Sequence, residues 1–194
     1  MRFRAPLREP SPKRHEMIEM SDTQPEVWLR GPVEGIPALL QPAAHAFIQA
    51  QEDVEGAVAM LRPDEVWVEP GGAASVGFHV AHLSGATDRL LTYARGERLS
   101  DAQRKKLVAE RPDPSARPPV EALLAEWRQG IVDALAQLAA TPEDSLLTPR
   151  FVGRAQLPSS VLGLTFHAAE HASRHAGQVV TTCKVLVGRR QSDT

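Results

Sequence analysis

The sequence predicts an all-α fold, a four-helix bundle with a long crossover between its second and third long helices. Apolar residues recur at helical spacing in four long segments, each opened or closed by Pro, Ser or Gly. Between the second and third of these, residues 96–119 are charged and Pro-rich, more chain than a hairpin between adjacent antiparallel helices needs. Histidines gather in the second and fourth segments, where the facing helices of a bundle would turn them inward.

At 194 residues, with 42% hydrophobic and 24% charged residues, the chain has the composition of one globular domain, expected over residues 25–190. A formal net charge of -2 gives no electrostatic reason to expect nucleic acid or acidic lipid as a partner. Cys183 is the single cysteine, which excludes an intramolecular disulfide and with it a secreted disulfide scaffold. No run approaches the roughly 18–20 apolar residues of a membrane span, and no apolar stretch precedes a small-residue cleavage site near the N-terminus. A cytoplasmic protein without membrane contact is the expectation.

Residues 1–24 mix Arg, Lys, Glu and Pro with scattered apolar residues and cannot bury enough surface to offset the entropy of ordering, so a disordered tail holding His15 is expected. From 25 to 41, Trp28, Leu29, Ile36, Leu39 and Leu40 stand among Gly and Pro as an arm laid on the domain, capping the core or a neighbouring subunit. Pro42 suits the first turn of a helix, and Phe47, Val54, Val58 and Leu61 continue it to the stop at Arg62-Pro63-Asp64. His45 lies in its opening turns, a lesser candidate for an inward role. Residues 63–74 read as a connector closed by Pro70-Gly71-Gly72, and Ser75 as the N-cap of the second helix, which runs to Gly96. In the crossover a short helix is expected over 100–109, its charges forming a solvated face. Pro119 opens the third helix, whose core stripe is Val120, Leu123, Leu124, Trp127, Ile131, Leu135 and Leu138 up to Thr141-Pro142. Residues 141–157 read as a loop. Pro158-Ser159-Ser160 leads into the fourth helix, which is expected to end near Gly188 with a fraying polar terminus.

The fourth helix carries His167, His171 and His175 four residues apart, on one stripe. Two imidazoles one turn apart can grip a single cation from the same side, but one helix cannot complete its shell. The second helix offers His79 and His82, three apart and able to face the same pocket, of which at most one is needed. Three neutral imidazoles would leave a metal its full charge and an open position, able to activate water or to hold a thiolate. Cys183 is read as a buried, inert thiol: eight residues past His175 places it about 12 Å along the axis, too far to be the nucleophile. Glu170 and Asp88 are candidate orienting groups or salt-bridge partners. Glycine-rich phosphate loops, Gly-x-Ser-x-Gly elbows and Cys-x-x-Cys pairs are absent from the sequence.

Ser75-Val76-Gly77-Phe78-His79-Val80-Ala81-His82-Leu83, followed much later by His171-x-x-x-His175-Ala176-Gly177-Gln178, resembles the DinB/YfiT-like superfamily of four-helix metalloproteins. By order of elements the resemblance covers residues 38–188. It implies a three-histidine site for a divalent metal, zinc or nickel in the first place, with His82 from the second helix and His171 and His175 from the fourth. His79 and His167 become pocket residues, Gln178 a hydrogen-bonding neighbour, and Gly177 a point of close backbone approach. Homodimers are implied too, as are metal-dependent transferases or isomerases that use a low-molecular-weight thiol as co-substrate. The expected function is therefore divalent-metal binding with thiol S-transfer or isomerisation on a small electrophile. The alternative is a non-catalytic, stress-related dimeric bundle that binds metal or a small molecule.

Overall fold

Helical spacing of apolar residues becomes buried stripes in the computed structural model, which describes residues 24–192. Helix α1 (Gln41–Val58) carries Pro42 in its first turn and buries Ala44, Phe47, Ala50, Val54 and Val58. Helix α2 (Val76–Ala94) begins at Ser75, whose hydroxyl accepts a hydrogen bond from the Phe78 N–H at 3.2 Å. The short α3 (Asp101–Ala109) lies inside the crossover, opened by a reciprocal Ser100–Gln103 cap. Helix α4 (Val120–Ala139) buries Leu123, Trp127, Ile131, Ala134 and Leu138, and α5 (Val161–Ser192) spans 32 residues. Four long helices with a crossover between the second and third are thus the architecture, with α5 lying against both α1 and α2 and α4 against the same pair.

The seam that α5 makes with α1 and α2 is built from small residues. Ala168, Ala172 and Ala176 of α5, four apart and at most 1% exposed, let its backbone approach α1 and α2. Bulk is supplied from the other helices, chiefly Phe47 and Trp127, both 0% exposed and each contributing about 1.5–3 kcal/mol through burial. The indole Nε1 of Trp127 has no hydrogen-bond partner among the described residues. That omission costs on the order of 1–3 kcal/mol, which the burial of the ring offsets.

The arm over residues 25–40 lies on α1. Val27 and Leu40 are buried, the Gln49 side chain accepts from the Val27 N–H at 3.0 Å, and Arg30 pairs with Glu52 at 2.6 Å. His45 pins this arm through a 2.9 Å contact between its Nε2 and the Gly31 carbonyl, and so takes no part in the histidine pocket. The disordered tail expected over residues 1–24 falls, but for Gln24, outside the described residues.

Two expectations are corrected. Within the predicted loop, β1 (Pro149–Val152) and β2 (Leu157–Ser160) form an antiparallel hairpin with Phe151 opposite Pro158. Neither strand alternates apolar and polar residues, so the period-two signal was too weak to reveal them. Their turn needs the positive φ of Gly153 and, at 50°, of Gln156. Helix α5 also continues past Gly188 to Ser192, because the last turns of a helix already nucleated over many residues need only local bonds to propagate. No helix among the described residues is long and apolar enough to cross a membrane.

One close approach fixes the connector. A Cβ placed on Gly77 would lie 2.6 Å from the Trp67 ring, which is held in place by its Nε1 donating to the Pro118 carbonyl at 3.2 Å. On an exposed helix surface Gly→Ala stabilises by about 1 kcal/mol. Here the sign reverses: Gly77→Ala should lower the unfolding free energy by about 1–3 kcal/mol in a urea titration, while Gly177→Ala, with open space around it, should not.

Candidate metal centre

The chain order of the two helices decides which histidines meet. His79 of α2 stands against His175 of α5, Nδ1 to Nδ1 at 3.0 Å, and His82 against His171, Nε2 to Nε2 at 3.4 Å. Residue numbers therefore rise along one helix as they fall along the other, so α2 and α5 run antiparallel. One ligand atom each from His82, His171 and His175 lies within 4.8 Å of the other two. Two ligand nitrogens on a tetrahedral zinc at about 2.0–2.1 Å stand about 3.3–3.4 Å apart, so the His82–His171 pair already has the required spacing. These three side chains could hold a divalent cation.

Orientation comes from a residue that local sequence reasoning left in the solvated face. Glu110, directly after α3 and 4% exposed, accepts from His82 Nδ1 at 2.8 Å and from the Arg89 guanidinium at 2.6 Å. With its Nδ1–H given to the carboxylate, His82 presents Nε2 to His171. Burial alone would raise the Glu110 carboxyl, yet the His82 and Arg89 hydrogen bonds hold it below its ordinary value. A Cβ on Gly85 would lie 2.5 Å from Glu110 Oε1 and 2.7 Å from Arg89 Nη1, so the ion pair fits only because that position has no side chain. The available signal was on α2: His82, Gly85 and Arg89 share one inward stripe, and a buried arginine there demands an anion from elsewhere in the chain.

Burial depresses the basicity of the cluster. His171 falls from 6.5 to about 4, first through burial and then through the charges of His82, His167 and Arg174. His175 falls likewise to about 4, through burial and then His171, His82, His79 and Arg174. His79, 6% exposed, is lowered by burial and by the charges of His82 and Arg111. Neutral imidazoles are the metal-binding form. Phe78 stacks on His82 with ring centres 5.5 Å apart, and the Arg111 guanidinium lies over the Phe78 ring, 4.2 Å from its centre.

The remaining candidates fall elsewhere. His167 is exposed, its Nδ1 3.4 Å from Glu170 Oε2, and its ring reaches only the edge of the cluster, 5.8 Å from that of His171. Glu170 is engaged by Arg174 on the same outer face, and Asp88 accepts from Gln103 of α3 at 2.9 Å, so neither orients a histidine of the triad. Gln178 is exposed, and nothing approaches Gly177 within 4 Å of where its Cβ would be. Cys183 is buried, which raises its thiol to about 11 and leaves it protonated at neutral pH.

A helical bundle with a half-buried histidine cluster between two antiparallel helices is the class of protein these elements define. A sequence profile of the DinB superfamily matches residues 46–179, and the chain belongs to that superfamily. The fold is shared with the crystal structure of a conserved protein from Enterococcus faecalis, 18% identical, with a TM-score of 0.63 over 77% of this chain and 97% of that one. No curated protein matches the chain.

Because His171 and His175 are half-buried and titrate near 4 when folded but near 6.5 when unfolded, the unfolded state binds more protons across that interval. Stability of the metal-free protein should therefore fall as pH drops from 6.5 to about 4, and a His171→Asn, His175→Asn variant should show a shallower slope in denaturant melts across the same pH range.

Proposed function

We propose that this DinB-superfamily protein binds a divalent metal through His82, His171 and His175, and that the centre serves thiol S-transfer or isomerisation of a small electrophile. The observation that carries the reading is the orientation of His82 by buried Glu110 toward the two histidines of α5. Zinc or nickel suits three imidazole donors. When bound, such an ion supplies a Lewis acid that lowers the pKa of a coordinated water or low-molecular-weight thiol toward neutrality.

The protein groups have separable tasks. Glu110 keeps the proton on His82 Nδ1 and strengthens Nε2 as a donor, and Arg89 keeps Glu110 in place. Phe78 makes an offset stack with the His82 ring and so restricts its rotation. The 3.0 Å contact between the Nδ1 atoms needs a single proton, and when His175 supplies it His79 orients that ring. The chain brings its own thiol nowhere near this chemistry, since Cys183 is buried and protonated. A nucleophilic thiol would come from solution.

One observation favours a second reading, a non-catalytic binder of metal or small molecules. Glu110, the carboxylate at the cluster, is committed to His82 and Arg89 and is not free to act as a general base. We further take residues 25–190 to act as one cytoplasmic domain behind an N-terminal tail, and to pair as a homodimer. The arm supports the pairing, since it leaves Trp28, Leu29 and Leu39 about 60% exposed.

Untagged protein should take up about one zinc or nickel per chain and gain melting temperature on loading. His171→Ala, His175→Ala should abolish the gain, and Glu110→Gln should weaken affinity about 10–100-fold. Loaded protein incubated with an electrophile and a panel of cellular thiols, followed by mass spectrometry, separates the two readings: adduct formation above that of His82→Ala means an enzyme, and none with any thiol means a binder. Light scattering should give twice the 21.1 kDa mass of the chain, and a monomeric mass would refute the dimer.

A further inference from the structure

A second concavity lies at the opposite end of α2 from the histidines. Its volume is about 770 Å³, within the range of small-molecule sites, and it is bounded by the end of α2, the start of the crossover and the β1–β2 hairpin. Tyr93 in its wall is eleven residues beyond His82, about 16 Å along the helix. The two places are therefore separate.

Four arginines line this cleft: Arg98, Arg104, Arg150 and Arg154. Arg104 is answered by Asp101 at 2.5 Å, and the one acidic residue of the lining, Glu97, is answered by Arg95 at 2.9 Å. Arg98, Arg150 and Arg154 meet no carboxylate among the described residues, which leaves three uncompensated positive charges around one hollow. Arg150 is held in position by bonds from Nε to the Ala94 carbonyl at 2.7 Å and from Nη1 to the Pro149 carbonyl at 3.0 Å. It passes over Gly96, where a Cβ would stand 3.4 Å from its Nε and where φ is +82°. Such an anchored guanidinium loses little freedom on binding an anion. Arg98 and Arg154 are exposed and can close on it. Tyr93 and the half-exposed ring of Phe151 give the cleft an aromatic wall.

We propose that this cleft binds a small organic dianion, a phosphate monoester or dicarboxylate with an apolar body, with the charge on the arginines and the body against Tyr93 and Phe151. Three guanidiniums around one hollow match a compact dianion better than an extended polyanion.

Tyr93 is the only tyrosine in the chain, so protein labelled with 13C in its tyrosine ring reports on the cleft alone. Titration with phenyl phosphate or phthalate at low salt should give a saturable shift, tighter than with inorganic phosphate and absent with phenol. Arg98→Ala, Arg154→Ala should weaken it about tenfold or more, Arg98→Lys, Arg154→Lys should recover part of the loss, and His82→Ala should leave it unchanged. No saturable shift at millimolar dianion, or an unchanged midpoint in the alanine variant, overturns the site. A single-stranded oligonucleotide that binds more tightly than either dianion through the same arginines overturns the small-ligand assignment.

Discussion

A carboxylate withdrawn from water must have its charge met, and the arrangement of this protein around its histidines depends on how Glu110 is met. Arg89 answers the charge, and His82 takes the second oxygen. Because one partner stands in the second turn of α2 and the other two turns further on, the carboxylate ties the middle of the crossover to one inward stripe of that helix. Removing Arg89 would leave the Glu110 carboxylate buried with only the His82 hydrogen bond to meet it, and so bearing most of the cost of desolvation. The same tie sets the tautomer of His82, so a contact that serves the fold also fixes which nitrogen looks toward α5.

The parts of this architecture that announce themselves in the sequence are those encoded by repetition within one segment. Stripes such as Leu123, Trp127, Ile131 and Leu138 repeat often enough that helix, face and core could be read together. The expected ladder of histidines on α5 was legible for the same reason, and the structure brings His82, His171 and His175 within one another's reach. What was illegible is encoded by single residues acting at a distance. Glu110 sits among charged neighbours, and its sequence surroundings do not distinguish a buried anion from a solvated one. The hairpin escaped notice because four-residue strands carry almost no periodic signal. His79 and His82 could not be ranked from spacing, since three residues apart on a helix both face one side; the antiparallel pairing with α5 sets His79 against His175 and His82 against His171.

The distribution of charge over α2 follows from its environment at each end. Near its start, imidazoles gather beside one satisfied carboxylate, and burial lowers those of His171 and His175. Beyond its last turn, guanidiniums gather around a hollow, one of them satisfying the terminal carbonyl of Ala94. The two ends of one helix thus border different chemistry, imidazole donors shared with α5 at one and guanidiniums from the crossover and the hairpin at the other. Ligands of opposite sign would suit the two ends.

Most cores are hurt by trimming their side chains, since a void opens where methyl groups were. The seam formed by Ala168, Ala172 and Ala176 has almost nothing to trim. Its vulnerability lies in growth: even one extra methyl group would wedge α5 away from α1 and α2, and because His171 and His175 ride on that same rod, the displacement would be felt at the imidazoles. Tolerance at these three positions should therefore track bulk rather than hydrophobicity, with serine accepted where valine and leucine are refused.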